Sequence, residues 1–268
     1  MIPAIWIDYI GKVPEKDFVT INAKATEGIH DWQQKFAEEY KAQNNVAFLD
    51  TDYDSNEFYF TPLKEEIYIN SYSETNLIKQ VKAINDALSG VAYHDDMVIA
   101  ELVAEVSCSY DYPEGATIWI YPVKYAVERD DKPTHWWTGY FRTIQDTVQW
   151  TDSVKKYQDD KVKDKEMQDR VQNGYIAEKV TCNFGLTAEL ETSGITLSTY
   201  PLYRKQMVEH QVLPTQRPDI DNCCYTILRN LYSIAYDDIY RCKKIHATKF
   251  YTDKDNPDRI QKIWIDKI

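Results

Sequence analysis

Arginine is absent from the first 128 residues of this 268-residue chain, and all eight arginines lie beyond them. Residues 1–125 hold nine Lys against 21 Asp+Glu, a formal −12, whereas residues 126–268 balance 22 Lys+Arg with 22 Asp+Glu. The whole net charge belongs to one half, which speaks against a phosphate-binding surface there and leaves the other half open to one. Cysteine is sparse too: five residues, an odd number, with no Cys-x-x-Cys pair. That excludes a disulfide framework and a zinc site, and predicts reduced thiols inside a cell. Glycine (8) and proline (10) are too few for a collagen-like or low-complexity chain. No apolar run approaches a bilayer span, and the N-terminus lacks the basic-then-apolar signature of a secretion signal, so a cytoplasmic protein without membrane attachment is expected. What is present is 43% hydrophobic and 28% charged residues, enough for a sizeable core in one large domain or two ordinary ones.

The apolar pattern occurs twice. Leu77, Ile78, Val81, Ile84 and Leu88 mark one face of a helix opened by Asn76 and ended by Ser89-Gly90. Cys224, Ile227, Leu228 and Leu231 mark the corresponding face of a helix opened by Asn222. The first helix leads into Tyr93-His94-Asp95-Asp96 and the second into Tyr236-Asp237-Asp238, so an aspartate doublet recurs in one context. Val98, Ala100, Leu102, Ala104, Val106 and Cys108 then alternate as a half-buried strand; a turn and a second strand over 116–121 follow, echoed by Ile263-Trp264-Ile265. Upstream, Ile67 and Ile69 alternate in the first half, as Ile195 and Leu197 do in the second. Ile29, Trp32, Phe36 and Tyr40 predict an amphipathic helix, matched by Ile144, Val148 and Val154. Residues 152–170, charged with both signs, read as an exposed helical extension or a mobile segment. The expected fold is α+β, with two tandem units (1–124 and 125–268), each a small mixed sheet with two helices, associated as a pseudo-dimer.

The sharpest local feature is Arg217-Pro218-Asp219-Ile220-Asp221-Asn222. Carboxylates at i and i+2 point the same way on an extended segment, and Asp221-Asn222 then caps a helix. With Asp238 across that helix, three carboxylates can converge. Such an oxygen set suits a hard divalent cation such as Mg²⁺, which activates water against a phosphodiester. The same residues also read as an Asx turn and helix cap followed by a second turn.

Pro-Asp-x-Asp-Asn, a helix, Ala-Tyr-Asp-Asp and a strand hairpin together resemble the RusA family of Holliday-junction resolvases. In this chain those residues are Pro218 to Asn222 and Ala235 to Asp238. The first half resembles the same family in degenerate form, with Ser73-Glu74-Thr75-Asn76 in place of the acidic motif and Tyr93-His94-Asp95-Asp96 intact. The resemblance implies a Mg²⁺-dependent endonuclease, with Mn²⁺ as a substitute, acting on branched DNA such as Holliday junctions. It implies Asp219, Asp221 and Asp238 as the catalytic, metal-binding carboxylates. It further implies a lysine four residues after the second aspartate of the motif. That position is Tyr225 in the second half and Lys79 in the first, so neither half alone holds the full set.

Basic residues gather around the motif. Residues 201–249 contain Arg204, Lys205, Arg217, Arg229, Arg241, Lys243, Lys244 and Lys249, a positive stretch once the expected metal ligands are set aside. Of these, Arg204, Lys205, Arg217, Arg229, Arg241 and Lys243 are the candidate DNA contacts. Arg229, one turn beyond Tyr225, reads either as a replacement cation or as a solvated charge. Cys223 and Cys224 read as core residues, and no pair of histidines has metal-ligand spacing. Two function classes follow. One is a single-chain pseudo-dimeric nuclease in which the second unit cuts and the first is scaffold. The other is a lapsed nuclease whose acidic half binds a basic protein partner or mimics DNA. A homodimer of the chain is compatible with either.

Overall fold

The computed structural model describes residues 5–17, 27–44, 61–123, 135–137, 179–187, 205–206, 209, 213–215, 217–231, 238–252 and 261–266. The first half runs β1 (Ile5–Ile10), α1 (Glu27–Gln43), β2 (Leu63–Asn70), α2 (Leu77–Leu88), β3 (Ile99–Ser107) and β4 (Gly115–Pro122). The second runs β5 (His135–Trp137), β6 (Lys179–Thr187), α3 (Ile220–Leu231), β7 (Lys244–Thr252) and β8 (Gln261–Asp266). The fold is mixed α+β, as expected from the alternation of 3.6- and 2-residue periods.

Among the described residues, eight strands lie in one sheet, ordered β1-β4-β2-β3-β7-β6-β8-β5. In the first half β2 and β3 are parallel with α2 between them, and β4 pairs antiparallel with both β2 and β1. In the second half β6 and β7 are parallel with α3 between them, and β8 pairs antiparallel with both β6 and β5. The order of pairings therefore reads the same from either edge. The two small sheets expected from the sequence are continuous: β3 and β7 pair antiparallel, with Leu102 opposite Ala247. Joining them satisfies two strand edges that would otherwise expose unpaired backbone. The strand that occupies β2's place in the second half is Lys179–Thr187, earlier in the chain than Ile195 and Leu197, which lie outside the described residues. Ile144, Val148, Val154 and the segment 152–170 also lie outside them.

The core forms where the apolar phases of these elements meet. Leu77, Ile78, Val81, Ile84 and Leu88 of α2 are all buried, and Gly90, at φ 75°, ends that helix in the left-handed region that glycine adopts without steric cost. Phe36 and Tyr40 of α1 pack with Ile7, while Cys223, Cys224, Ile227 and Leu228 of α3 pack with Leu102, Ala104, Ile245 and Ala247 in the same cluster. Trp32 stacks on Phe36 and donates its indole N–H to Tyr9 Oη at 2.9 Å. Among the described residues no helix is long and apolar enough to cross a membrane.

Candidate metal centre

The helices α2 and α3 pack against each other, and the acidic motif lies at this seam. Asp219 immediately precedes α3, and Asp221 is in its first turn, fully buried. This corrects the expectation that Asp221-Asn222 precedes the helix as its cap: the helical ladder opens with Cys223 N donating to Asp219 O at 3.2 Å. In α2 the same opening bond runs from Gln80 N to Asn76 O, also at 3.2 Å, and both helices are twelve residues long. Asn76 therefore matches Asp219, one turn away from the match to Asn222 suggested by residue identity. On the same register Ile78 matches Asp221, and Lys82 matches Tyr225.

The aspartate doublets shift too. Asp95 accepts from Met97 N at 3.0 Å, capping a 3₁₀ turn over Asp96–Val98; Asp238 accepts from Tyr240 N at 3.0 Å, capping the turn over Ile239–Arg241. Asp95 and Asp238 are thus counterparts, and Asp96 faces Ile239 in the comparison. Asp238 is exposed, with its side chain on its own turn.

The carboxylates that meet come from both halves. Asp95, Asp96 and Asp219 bring one oxygen each within 4.8 Å of one another. Of the three carboxylates expected to converge, Asp221 and Asp238 are not among them. Asp219 Oδ2 accepts from Asn222 Nδ2 at 2.7 Å, whereas its Oδ1 is buried and accepts no hydrogen bond. Asp221 Oδ1 accepts from Asn222 N at 2.6 Å, and its Oδ2 lies 3.3 Å from Lys82 Nζ. That last contact is an ion pair without hydrogen-bond alignment, since Asp221 Oδ2 accepts none. Lys82 Nζ also lies 3.2 Å from Asp96 Oδ2 and 3.0 Å from Asp86 Oδ1. Lys16 pairs with the other oxygen of Asp86.

Sequence reasoning gave Asp95 and Asp96 no ligand role, counted Lys249 only among the bases around the motif, and missed Lys82, Asp86 and Glu65. Glu65 and Lys249 did leave a signal, because each sits on the apolar phase of its strand, Glu65 between Leu63 and Ile67 and Lys249 between Ala247 and Tyr251. Both are fully buried. Lys249 Nζ donates to Met97 O at 2.7 Å and Pro218 O at 3.2 Å, bridging the two acidic segments. Lys79, which the motif spacing singled out, instead pairs with Asp17 at 2.6 Å.

Crowded charge displaces the titrations. Burial, then the charge of Asp221, pushes the Asp96 carboxyl up to about 8. Burial raises Asp221 against the pull of Lys82, and raises Glu65 well above the usual range with help from Asp221 and Asp96. For Asp95 burial is outweighed by the Met97 N–H, a hydrogen bond from Asp96 and the Arg217 guanidinium 3.6 Å away, and its pKa is lowered. Neighbouring carboxyls held apart in this way are a common arrangement for acid–base and metal chemistry.

Set against known proteins, the chain matches no family model, no curated sequence and no solved structure.

The remaining candidates are placed as follows. Arg217 is exposed beside Asp95; Lys205 is exposed and pairs with Glu209 at 3.6 Å. Arg229 and Arg241 are exposed, Lys243 is half-buried, and Arg204 lies outside the described residues. Cys223 and Cys224 are core residues, and burial raises the Cys223 thiol.

Proposed function

We propose that this chain is a divalent-metal-dependent endonuclease for branched DNA, of RusA type, formed by tandem duplication into a pseudo-dimer with one composite site. The observation that carries the reading is the meeting of Asp219 with Asp95 and Asp96 from the other half, while Asp219 Oδ1 lies buried without a hydrogen-bond partner. A buried, unsatisfied carboxylate oxygen is costly unless a cation completes it. The donors are all oxygens, so Mg²⁺ or Mn²⁺ fits the set and a soft, thiolate-seeking metal does not. Asp219, Asp95 and Asp96 would hold the ion. When bound, such an ion supplies Lewis-acid stabilisation of a phosphodiester and a nucleophilic water at neutral pH.

The protein's own groups do the rest. Asn222 orients Asp219 through its amide, and Lys249 holds the Asp96 and Asp219 segments together through their neighbouring carbonyls. Lys82 supplies the ammonium that Tyr225 cannot, from the matching turn of the other helix. Arg217, exposed beside Asp95, would meet a phosphate at the rim. The palindromic pairing order of the sheet supports duplication, since an isologous dimer fused into one chain inherits it. The pseudo-two-fold counterparts of Asp219, Asp221, Lys82, Asp95 and Asp96 are Asn76, Ile78, Tyr225, Asp238 and Ile239, a set with one carboxylate, so a single site of this composition and one cut per encounter follow. This assigns the first half a share of the chemistry beyond scaffolding. A cytoplasmic setting fits the reduced cysteines.

The test is cleavage of labelled four-way junction, flap and plain duplex DNA with Mg²⁺ at low salt. The wild type should nick branched substrates, and Asp219→Asn should not. Wild-type protein that neither cuts DNA nor binds Mn²⁺, but captures a basic protein, would favour the lapsed-nuclease reading.

A further inference from the structure

We propose that Lys82 occupies the second cation position of this centre, so that the site takes one divalent ion where two-metal phosphodiesterases take two. The inference rests on the metal reading above and goes beyond it. In two-metal sites the ions lie about 4 Å apart and share a bridging carboxylate. Here Asp96 is that bridge: it belongs to the oxygen cluster with Asp95 and Asp219, and its Oδ2 is 3.2 Å from Lys82 Nζ.

The surroundings of Lys82 resemble a coordination shell in which a cation has been replaced by an ammonium. Asp86, Asp96 and Asp221 approach Nζ from three different elements at 3.0, 3.2 and 3.3 Å. The ammonium is tethered to α2, whose neighbouring residues Val81, Ala83 and Ile84 are buried, so it cannot leave as a second ion enters. Asp219 Oδ1 is left without a partner in a residue more than nine-tenths buried, whereas Asp221 Oδ2 meets the Lys82 ammonium. Asp219 belongs to the oxygen cluster with Asp96, and Asp221 pairs with the lysine. One position is therefore open to a divalent ion, and the other is closed by a fixed charge. A second divalent ion placed against Asp221 and Asp96 would have to share its ligands with a positive group about 3 Å away, where like charges repel strongly.

The experiment counts Mn²⁺ on the full chain by calorimetry and by electron paramagnetic resonance, taking as site ions those lost in Asp219→Asn. The wild type should bind one, with the spectrum of an isolated ion. Lys82→Met should admit a second ion and show the broadened spectrum of a coupled pair, and Lys82→Arg should stay at one. Two coupled ions in the wild type would overturn the inference while leaving the metal reading intact, and the broadened spectrum of such a pair is read on the wild type without Lys82→Met. A soluble Lys82→Met that still takes a single ion would overturn it as well. No site ion in the wild type would remove the metal reading, and the inference with it.

Discussion

Lys249 and Met97 meet across the junction of the two halves, the buried ammonium of one donating to the carbonyl of the other at 2.7 Å. The same nitrogen reaches Pro218 O, so one lysine ties the residue after Asp96 to the residue before Asp219. Lys249→Met keeps the volume and leaves both carbonyls without this donor, a loss of about 1–3 kcal/mol. Chemical denaturation should show that loss, and Mn²⁺ affinity should fall with it. Weakened stability at unchanged Mn²⁺ affinity would make the lysine a purely structural strut.

Cleavage should depend on acids from both halves. Asp96→Asn and Asp221→Asn each keep shape while removing a charge, and each should lower nicking of a labelled junction by at least about a hundredfold, the upper range for disturbing residues around a metal. Thr75→Ala loses a hydroxyl bonded to Glu15 at 3.0 Å, a pair that belongs neither to the oxygen cluster nor to the ion pairs of Lys82, and should leave the nicking rate within about twofold, though stability drops by about 1 kcal/mol. Full activity in Asp96→Asn would return the site to the second half alone.

Stability of the metal-free protein should fall as pH rises. The native state holds a proton on Asp96 up to about 8 and on Glu65 well above 4.5, whereas the unfolded chain releases them near 3.8 and 4.5. Between about pH 4 and 8 the native state binds more protons, so each step upward in pH favours unfolding. Melting in a chelator should show Tm declining across that range. Glu65→Gln keeps the neutral shape, removes one of the two costs and should melt higher than the parent at pH 8 by about 2–4 °C per kcal/mol recovered. Added Mn²⁺ competes with the same protons, so its stabilising effect should grow towards pH 8.

Two glycines should respond in opposite directions to alanine. A Cβ on Gly115 would sit 2.1 Å from Tyr9 O, in the backbone of β1, and neither strand can move without breaking their pairing. Gly115→Ala should cost about 1–3 kcal/mol or more. Gly28, in the first turn of α1, has nothing within 4 Å of such a Cβ, and Gly28→Ala should raise stability by up to about 1 kcal/mol. Thermal melts of the pair check both signs.

Much of the fold was legible because burial imposes periods on the chain. The alternation over residues 98–108 and the apolar face from Leu77 to Leu88 correspond to β3 and α2. The acidic motif was also legible as a local feature, since Asp219 and Asp221 sit two residues apart around a helix start. The register between the halves was not, because matching Asn76 to Asn222 follows residue identity, while the helical ladders open on Asn76 and Asp219. A shift of one helical turn preserves the apolar face, so hydrophobic pattern cannot detect it. It nevertheless changes which lysine corresponds to Tyr225.

The sequence by itself determined the elements, the α+β class, the charge asymmetry and the presence of a conspicuous acidic motif, because these depend on neighbours within a few residues. Only the tertiary structure decided which acids share a site. Asp96 and Asp219 are separated by more than a hundred positions, and it is the antiparallel pairing of β3 with β7 and the packing of α2 on α3 that bring their segments together. Lys82 carries no mark in sequence that separates it from a solvated helical lysine, since its three carboxylate neighbours arrive from α2 itself, from the turn before β3 and from the start of α3. Long-range contacts of this kind are set by how sheets join and helices pack, and local pattern holds no record of them.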